Sequence, residues 1–143
     1  MERKPENILA LAARLREKSN RFLVDQLARR GVQGFIPAHG DLMVALFRHG
    51  PLPMKDLAKL IDRDKSTLTA LVDRLVERGL AQKQKDHADS RVTLVSATPS
   101  GLALKPLFIE VGQAFWKKLF NGFSEGEKII AAELLGRMND NMS

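Results

Sequence analysis

Apolar side chains at Ile8, Leu11, Ala12, Leu15, Phe22, Leu23 and Leu27 recur every three to four residues, with Ser19 in the same stripe and Arg14, Arg16, Lys18 and Arg21 off it. That period predicts a long amphipathic helix at the start of the chain. Gly31 and Gly34 interrupt it, and Pro37 is suited to the first turn of a second helix carrying Leu42, Met43, Ala45, Leu46 and Phe47. Gly50, Pro51 and Pro53 close that helix. A short helix follows with Leu57, Ala58 and Ile61 inward, then a polar turn, then a helix whose buried stripe is Leu68, Leu71, Val72 and Leu75. Asp64 caps this last helix and Gly79 ends it.

After Gly79 the period drops to two. One strand is predicted over residues 80–85, the segment DHADS forms a tip, and a second strand alternates Arg91, Thr93 and Val95 with Val92 and Leu94. Thr98 and Pro99 then make a cap and first-turn pair, opening a long helix with Leu104, Leu107, Phe108, Val111, Phe115 and Leu119. Gly122 and Ser124 punctuate it, and a last helix carries Ile129, Ile130, Leu134, Leu135 and Met138. The fold class is therefore mainly α with a small β-hairpin, an α+β chain.

Composition narrows the function. The chain has 143 residues and 44% hydrophobic side chains, enough for one compact domain. It has no cysteine, which removes disulfides, thiolate metal sites and thiol nucleophiles. No stretch approaches the ~20 apolar residues of a membrane span, and the charged start does not read as a signal peptide. A soluble, cytoplasmic protein is expected. The net charge of +6 points to a polyanionic partner, and residues 1–30 alone hold eight basic against four acidic side chains.

The outward face of the helix after Asp64 carries Lys65, Ser66, Thr69, Ala70, Asp73 and Arg74. Its N-terminal half suits the major groove of B-DNA. Ser66, Thr67 and Thr69 can bond bases or phosphates, and Arg74 lies one turn further on for a phosphate. In the hairpin, Asp89 stands two residues before Arg91 and can hold its guanidinium in one direction. A fixed arginine suits the narrow, strongly negative minor groove of A·T-rich DNA, with Lys83 and Lys85 flanking it on phosphates. Taken alone, the helix also allows a solvated face as the less favoured reading, and the hairpin alone favours an edge strand kept soluble by charge. Their combination favours DNA.

Three stretches, IPAHGDLMVAL, DKSTLTALVDRLVERGL and KQKDHADSRVTLVSATPSG, together resemble the MarR family of winged helix-turn-helix regulators. The last is the most specific, with Asp89, Arg91, Thr98 and Gly101 falling on the family's wing signature. The resemblance implies a homodimer in which residues 1–35 and 102–143 form a helical dimerisation region and residues 36–101 a DNA-binding winged module. It implies that Arg91 enters the minor groove and the helix from Lys65 reads the major groove. It implies release of DNA by a small aromatic or phenolic acid, for which Arg16, Phe22, His39, Met43 and Phe108 are the candidate contacts, with Phe35 and Arg21 nearby. Ala70, Lys83 and Ala97 depart from the family's usual Arg, Arg and Leu.

Other classes have less support. His39, His49 and His87 share no metal-ligand spacing, and no HExxH, P-loop or GxSxG motif is present, so no catalytic residue, metal or cofactor is expected. A winged-helix dimer acting as a protein adaptor or RNA binder is the alternative. An adaptor has no use for the Asp89–Arg91 pair, and the deep, narrow major groove of RNA does not admit a helix. The expectation is a DNA-binding transcriptional repressor on a pseudo-palindromic operator.

Overall fold

The chain ends its first helix where the backbone can turn without a side chain in the way. In the computed structural model, which describes residues 1–143, a single 3-10 turn at Pro5–Asn7 leads into α1 (Ile8–Arg29). Gly31 follows at φ +89°, which reverses the chain. Val32 and Phe35 then anchor the linker in the core. Helix α2 (Pro37–His49) starts with a reciprocal pair of bonds. The Ile36 N–H donates to His39 Nδ1 at 3.2 Å, and the His39 N–H donates to the Ile36 carbonyl at 3.0 Å. Nδ1 is therefore the unprotonated ring nitrogen.

Two residues, Leu52–Pro53, form a short strand β1 before α3 (Met54–Leu60) and α4 (Lys65–Glu77). The turn between those helices places Asp62 at φ +53°, a left-handed conformation that Asp tolerates better than bulkier residues. Asp64 caps α4 by accepting the Thr67 N–H at 2.7 Å. At the far end Gly79 has φ +72° and the Leu80 N–H returns to the Leu75 carbonyl at 2.9 Å, which closes the helix with a six-to-one bond.

Strands β2 (Ala81–Lys85) and β3 (Thr93–Ala97) pair antiparallel with Lys83 opposite Val95, and β1 adds to the other edge of β3, giving the order β1-β3-β2. Helices α5 (Pro99–Leu102), α6 (Lys105–Leu119) and α7 (Glu125–Asn141) complete the chain. The largest fully buried side chains are Leu42, Met43, Leu46, Leu57, Leu68, Leu75, Val72 and Val95, so the core lies where α2, α3 and α4 meet the sheet. Leu27 of α1 and Val111 of α6 join it, whereas α7 buries nothing.

The architecture is that of a winged helix-turn-helix with helical extensions at both ends. Four details differ from the sequence reading. Strand β1 is a two-residue edge that follows Pro51 and includes Pro53, a length that leaves no periodicity to read. The long helix expected from Pro99 is two helices, because Pro106 has no N–H for the Leu102 carbonyl and its ring would strike that carbonyl. The second strand begins at Thr93, leaving Arg91 and Val92 in the wing loop. Along α1, only Leu27 is fully buried, the rest of the stripe being half-buried or exposed.

Candidate nucleic-acid interface

Burying Leu68, Leu71, Val72 and Leu75 turns the opposite side of α4 outward. By the helical period that side is Ser66, Ala70 and Asp73, flanked by Lys65 and Thr69 on one edge and by Thr67 and Arg74 on the other; all but the half-buried Thr69 are exposed. Local bonds already occupy part of this chemistry. Ser66 Oγ donates to Asp64 Oδ1 at 2.9 Å, Thr69 Oγ1 donates to the Lys65 carbonyl at 2.8 Å, and Thr67 gives its N–H to the cap. The Ser66 and Thr69 oxygens keep acceptor capacity, so these groups can take a hydrogen bond from a base amine more readily than give one. Asp64 is held below the usual carboxylate range by the Thr67 backbone N–H first and the Ser66 hydroxyl second, which keeps the cap charged.

Arg74 lies 3.6 Å from Glu77, with both side chains well exposed. A pair of that length in water is weak, so Arg74 can exchange Glu77 for a phosphate at little cost. Asp73 does not orient Arg74. It is bonded instead by the Lys83 ammonium, which reaches across from β2.

The wing loop is pinned at its base by the Asp86 N–H on the Val92 carbonyl and the Val92 N–H on the Asp89 carbonyl, both at 3.0 Å. Asp89 then takes three bonds from Arg91: from its N–H at 3.0 Å, from Nε at 3.1 Å and from a terminal guanidinium nitrogen at 3.2 Å. This fork fixes the direction of the guanidinium while its side chain stays 90% exposed. The Arg91 side-chain bonds, then its N–H, hold the Asp89 carboxyl below its ordinary range. Lys85 Nζ donates to the Ser90 carbonyl at 3.2 Å and so braces the same loop.

The wing is fastened to the module behind it. Thr98 Oγ1 donates to the Gly79 carbonyl at 2.6 Å and accepts the Gly101 N–H at 3.0 Å, while the Thr98 N–H meets the Leu80 carbonyl at 3.1 Å. One threonine thus ties the end of α4, the end of β3 and the start of α5. The sequence marked Thr98 as a cap and as part of the wing signature, but not as a tie to the Gly79 and Leu80 carbonyls.

A groove of about 980 Å³ runs between α1, α2 and α6, lined by Leu23, Ile36, Phe108 and Trp116 among others. Its charged lining residues are Arg16, Arg48, Lys105 and a single acid, Asp41. Of the residues expected to meet an effector, Arg16 and Phe108 lie on this groove and Phe22, His39 and Met43 do not. Met43 is fully buried in the core. His39 is buried with its ring against Phe35 and its Nδ1 capping α2. Phe22 stands 6.2 Å from Phe115 and beneath the Lys118 ammonium. The sequence missed Arg48 and Lys105, whose helical positions alone do not show that they converge.

Residues 37–93 match the MarR family. The transcriptional repressor NicR of Pseudomonas putida is 32% identical over 98 residues, which cover 68% of this chain but 62% of NicR, so the likeness spans less than two thirds of that relative. Among solved structures, Bordetella bronchiseptica BpsR, studied for regulation of its DNA binding by 6-hydroxynicotinic acid, is 24% identical with a TM-score of 0.82 over 98% of both chains. A cysteine-to-serine mutant of E. coli MarR in complex with operator DNA is 23% identical, with a TM-score of 0.79 over 94% of this chain and 98% of that one. No helix is long and apolar enough to cross a membrane. With a capped α4, an arginine-tipped wing and these likenesses, the chain belongs to the MarR family.

Proposed function

We propose that the protein is a cytoplasmic homodimeric repressor that grips a pseudo-palindromic operator, with α4 in the major groove and the wing in the adjacent minor groove. The observation that carries this reading is Arg91, an exposed guanidinium aimed by a three-bond clamp on Asp89. A pre-aimed arginine loses little freedom when it enters a narrow minor groove, and the negative potential there rewards the charge. Lys65, Ser66, Thr67, Thr69 and Ala70 present the reading face, with Arg74 and Lys85 on phosphates.

Helix α7 supports the dimer. It exposes Ile129, Ile130, Leu134 and Leu135 and buries no residue, a surface that an isolated chain has no reason to keep. Residues 1–35 and 102–143 then serve dimerisation, and residues 36–101 bind DNA. Two-fold symmetry sets the half-sites about 10 bp apart. The groove beside Phe108, with three cations at its wall, suits a small aromatic acid whose carboxylate meets Arg16, Arg48 or Lys105. Such a ligand releases DNA in this reading.

Selection of duplex DNA from a random pool, followed by binding titrations of wild type and Arg91→Ala on the selected sequence, tests the proposal. Arg91→Ala is expected to weaken binding at least tenfold and most on sites with A·T-rich flanks. Equal affinity of the two proteins, or failure to enrich any duplex, refutes it.

A further inference from the structure

Lys83 has the sequence of a phosphate contact and the geometry of something else. It sits on β2 two residues after the buried Ala81, on the strand face that packs toward α4, and its ammonium is bonded to Asp73. Asp73 belongs to the outward side of α4, in line with Ser66 and Ala70 by helical spacing. A carboxylate at that position draws a nearby cation to itself and away from the DNA backbone. Lys83 supplies that cation from another element, and the bond ties the recognition helix to the first strand of the wing.

We infer that Asp73 is a specificity-determining positioning residue, which holds Lys83 on α4 and off the DNA backbone. A free Lys83 would contact phosphate, and phosphate contacts raise affinity for every sequence alike. Sequestering it removes one increment of indiscriminate attraction. The same bond sets the offset between α4 and the wing, hence which base steps lie between the two points of entry. The inference rests on the proposed docking of α4 and wing, and goes beyond it in assigning roles to two residues not counted among the contacts. The pair is solvent-accessible, 35% for Lys83 and 51% for Asp73, so its removal leaves the core intact.

The test is a double-mutant cycle read as salt dependence. Wild type, Asp73→Asn, Lys83→Met and the double variant are titrated against a random-sequence duplex between 50 and 200 mM salt, each first shown by thermal melting to be folded. With Lys83 held on Asp73, Lys83→Met leaves the wild-type slope of log K against log salt unchanged. Asp73→Asn frees the lysine and steepens the slope by about 0.9, an extra loss of roughly 3.5-fold over that range. Adding Lys83→Met to Asp73→Asn restores the wild-type slope. Asp73→Asn also lowers the ratio of operator to random-DNA affinity. If Lys83→Met flattens the slope by about 0.9 in both backgrounds, or Asp73→Asn moves neither slope nor ratio, the inference is overturned. Arg91→Ala measured alongside separates the failures: should it bind as tightly as wild type, the docking itself is wrong.

Discussion

Replacing Gly101 by alanine adds one methyl group at the most crowded glycine in the chain. A Cβ built there lies 2.1 Å from the Leu80 carbonyl oxygen, 3.1 Å from its carbon and 3.4 Å from the Ala97 Cβ. Carbon and oxygen in contact sit no nearer than about 3.3 Å, so α5 must withdraw from Leu80 by about 1.2 Å. It cannot do so freely. The Leu80 carbonyl is held by the Thr98 N–H, and Thr98 is bonded to both Gly79 and Gly101. The obstacle is backbone, which has no alternative rotamer. Overpacking of this kind costs about 1–3 kcal/mol, and loss of one of the Thr98 bonds adds about 1 kcal/mol. The alanine regains somewhat under 1 kcal/mol through the unfolded chain, which leaves a net loss of about 1–3 kcal/mol. For a chain of this size that is a fall in melting temperature of roughly 3–10 °C. Differential scanning calorimetry of Gly101→Ala against Ser100→Ala, whose parent side chain is exposed, measures it. Because Thr98 also sets the root of the wing, DNA affinity should fall in the folded variant too. A melting temperature within 1 °C of wild type would show that α5 has room to move and that the threonine clamp does not fix the wing.

Three further outcomes are expected. Burial first, then the charges of Arg78 and Arg74, holds the His39 pKa below 6.5, so the folded chain binds fewer protons than the unfolded one just under that pH; stability present above pH 6.5 is lost as pH falls through it. Urea midpoints at pH 7.5 and 5.5 should therefore differ more for wild type than for His39→Gln, and equal differences would exclude His39 as the cause. Arg74→Ala should lower the salt slope of DNA binding by about 0.9 without altering the selected sequence, and a changed base preference would place Arg74 on a base instead. Ile130→Glu combined with Leu134→Glu, on the exposed apolar side of α7, should yield a monomer by sedimentation and abolish the concentration dependence of the melting temperature that wild type is expected to show. A wild type that sediments as a monomer refutes the dimer.

What could be read from the sequence is what local physics determines. The stripe of α4, the caps Asp64 and Thr98, and the left-handed Gly79 each depend on residues within four or five positions, and each is where the pattern puts it. Pro106 carried the break between α5 and α6 openly, but the continuing apolar period masked it. The Asp73–Lys83 bond was hidden for a different reason. Its partners stand on a helix and a strand whose relative orientation is set by the turn at Gly79, and no spacing rule predicts it. Met43 and His39 were expected at an effector site, but a helix stripe does not say which neighbour it faces, and here their side of α2 faces the core.

The interior packing also constrains how the two ends of the chain can communicate. Phe35 lies with its ring 4.6 Å beneath the Arg78 guanidinium at the end of α4, 5.6 Å from His39 and 6.2 Å from Phe108 of α6. Phe108 in turn meets Phe47 edge-on at 5.3 Å and forms part of the groove wall. An occupant that displaces Phe108 therefore cannot leave Phe35 undisturbed, since close-packed aromatic rings have no slack to absorb a shift. Phe35 bears on the C-terminal end of α4, the opposite end from the Asp64 cap. With the Asp64 cap held, a displacement at that end would shift the outward side of α4 by an amount that grows from Ser66 toward Asp73. The half of α4 that moves most is the half tied by Lys83 to the wing.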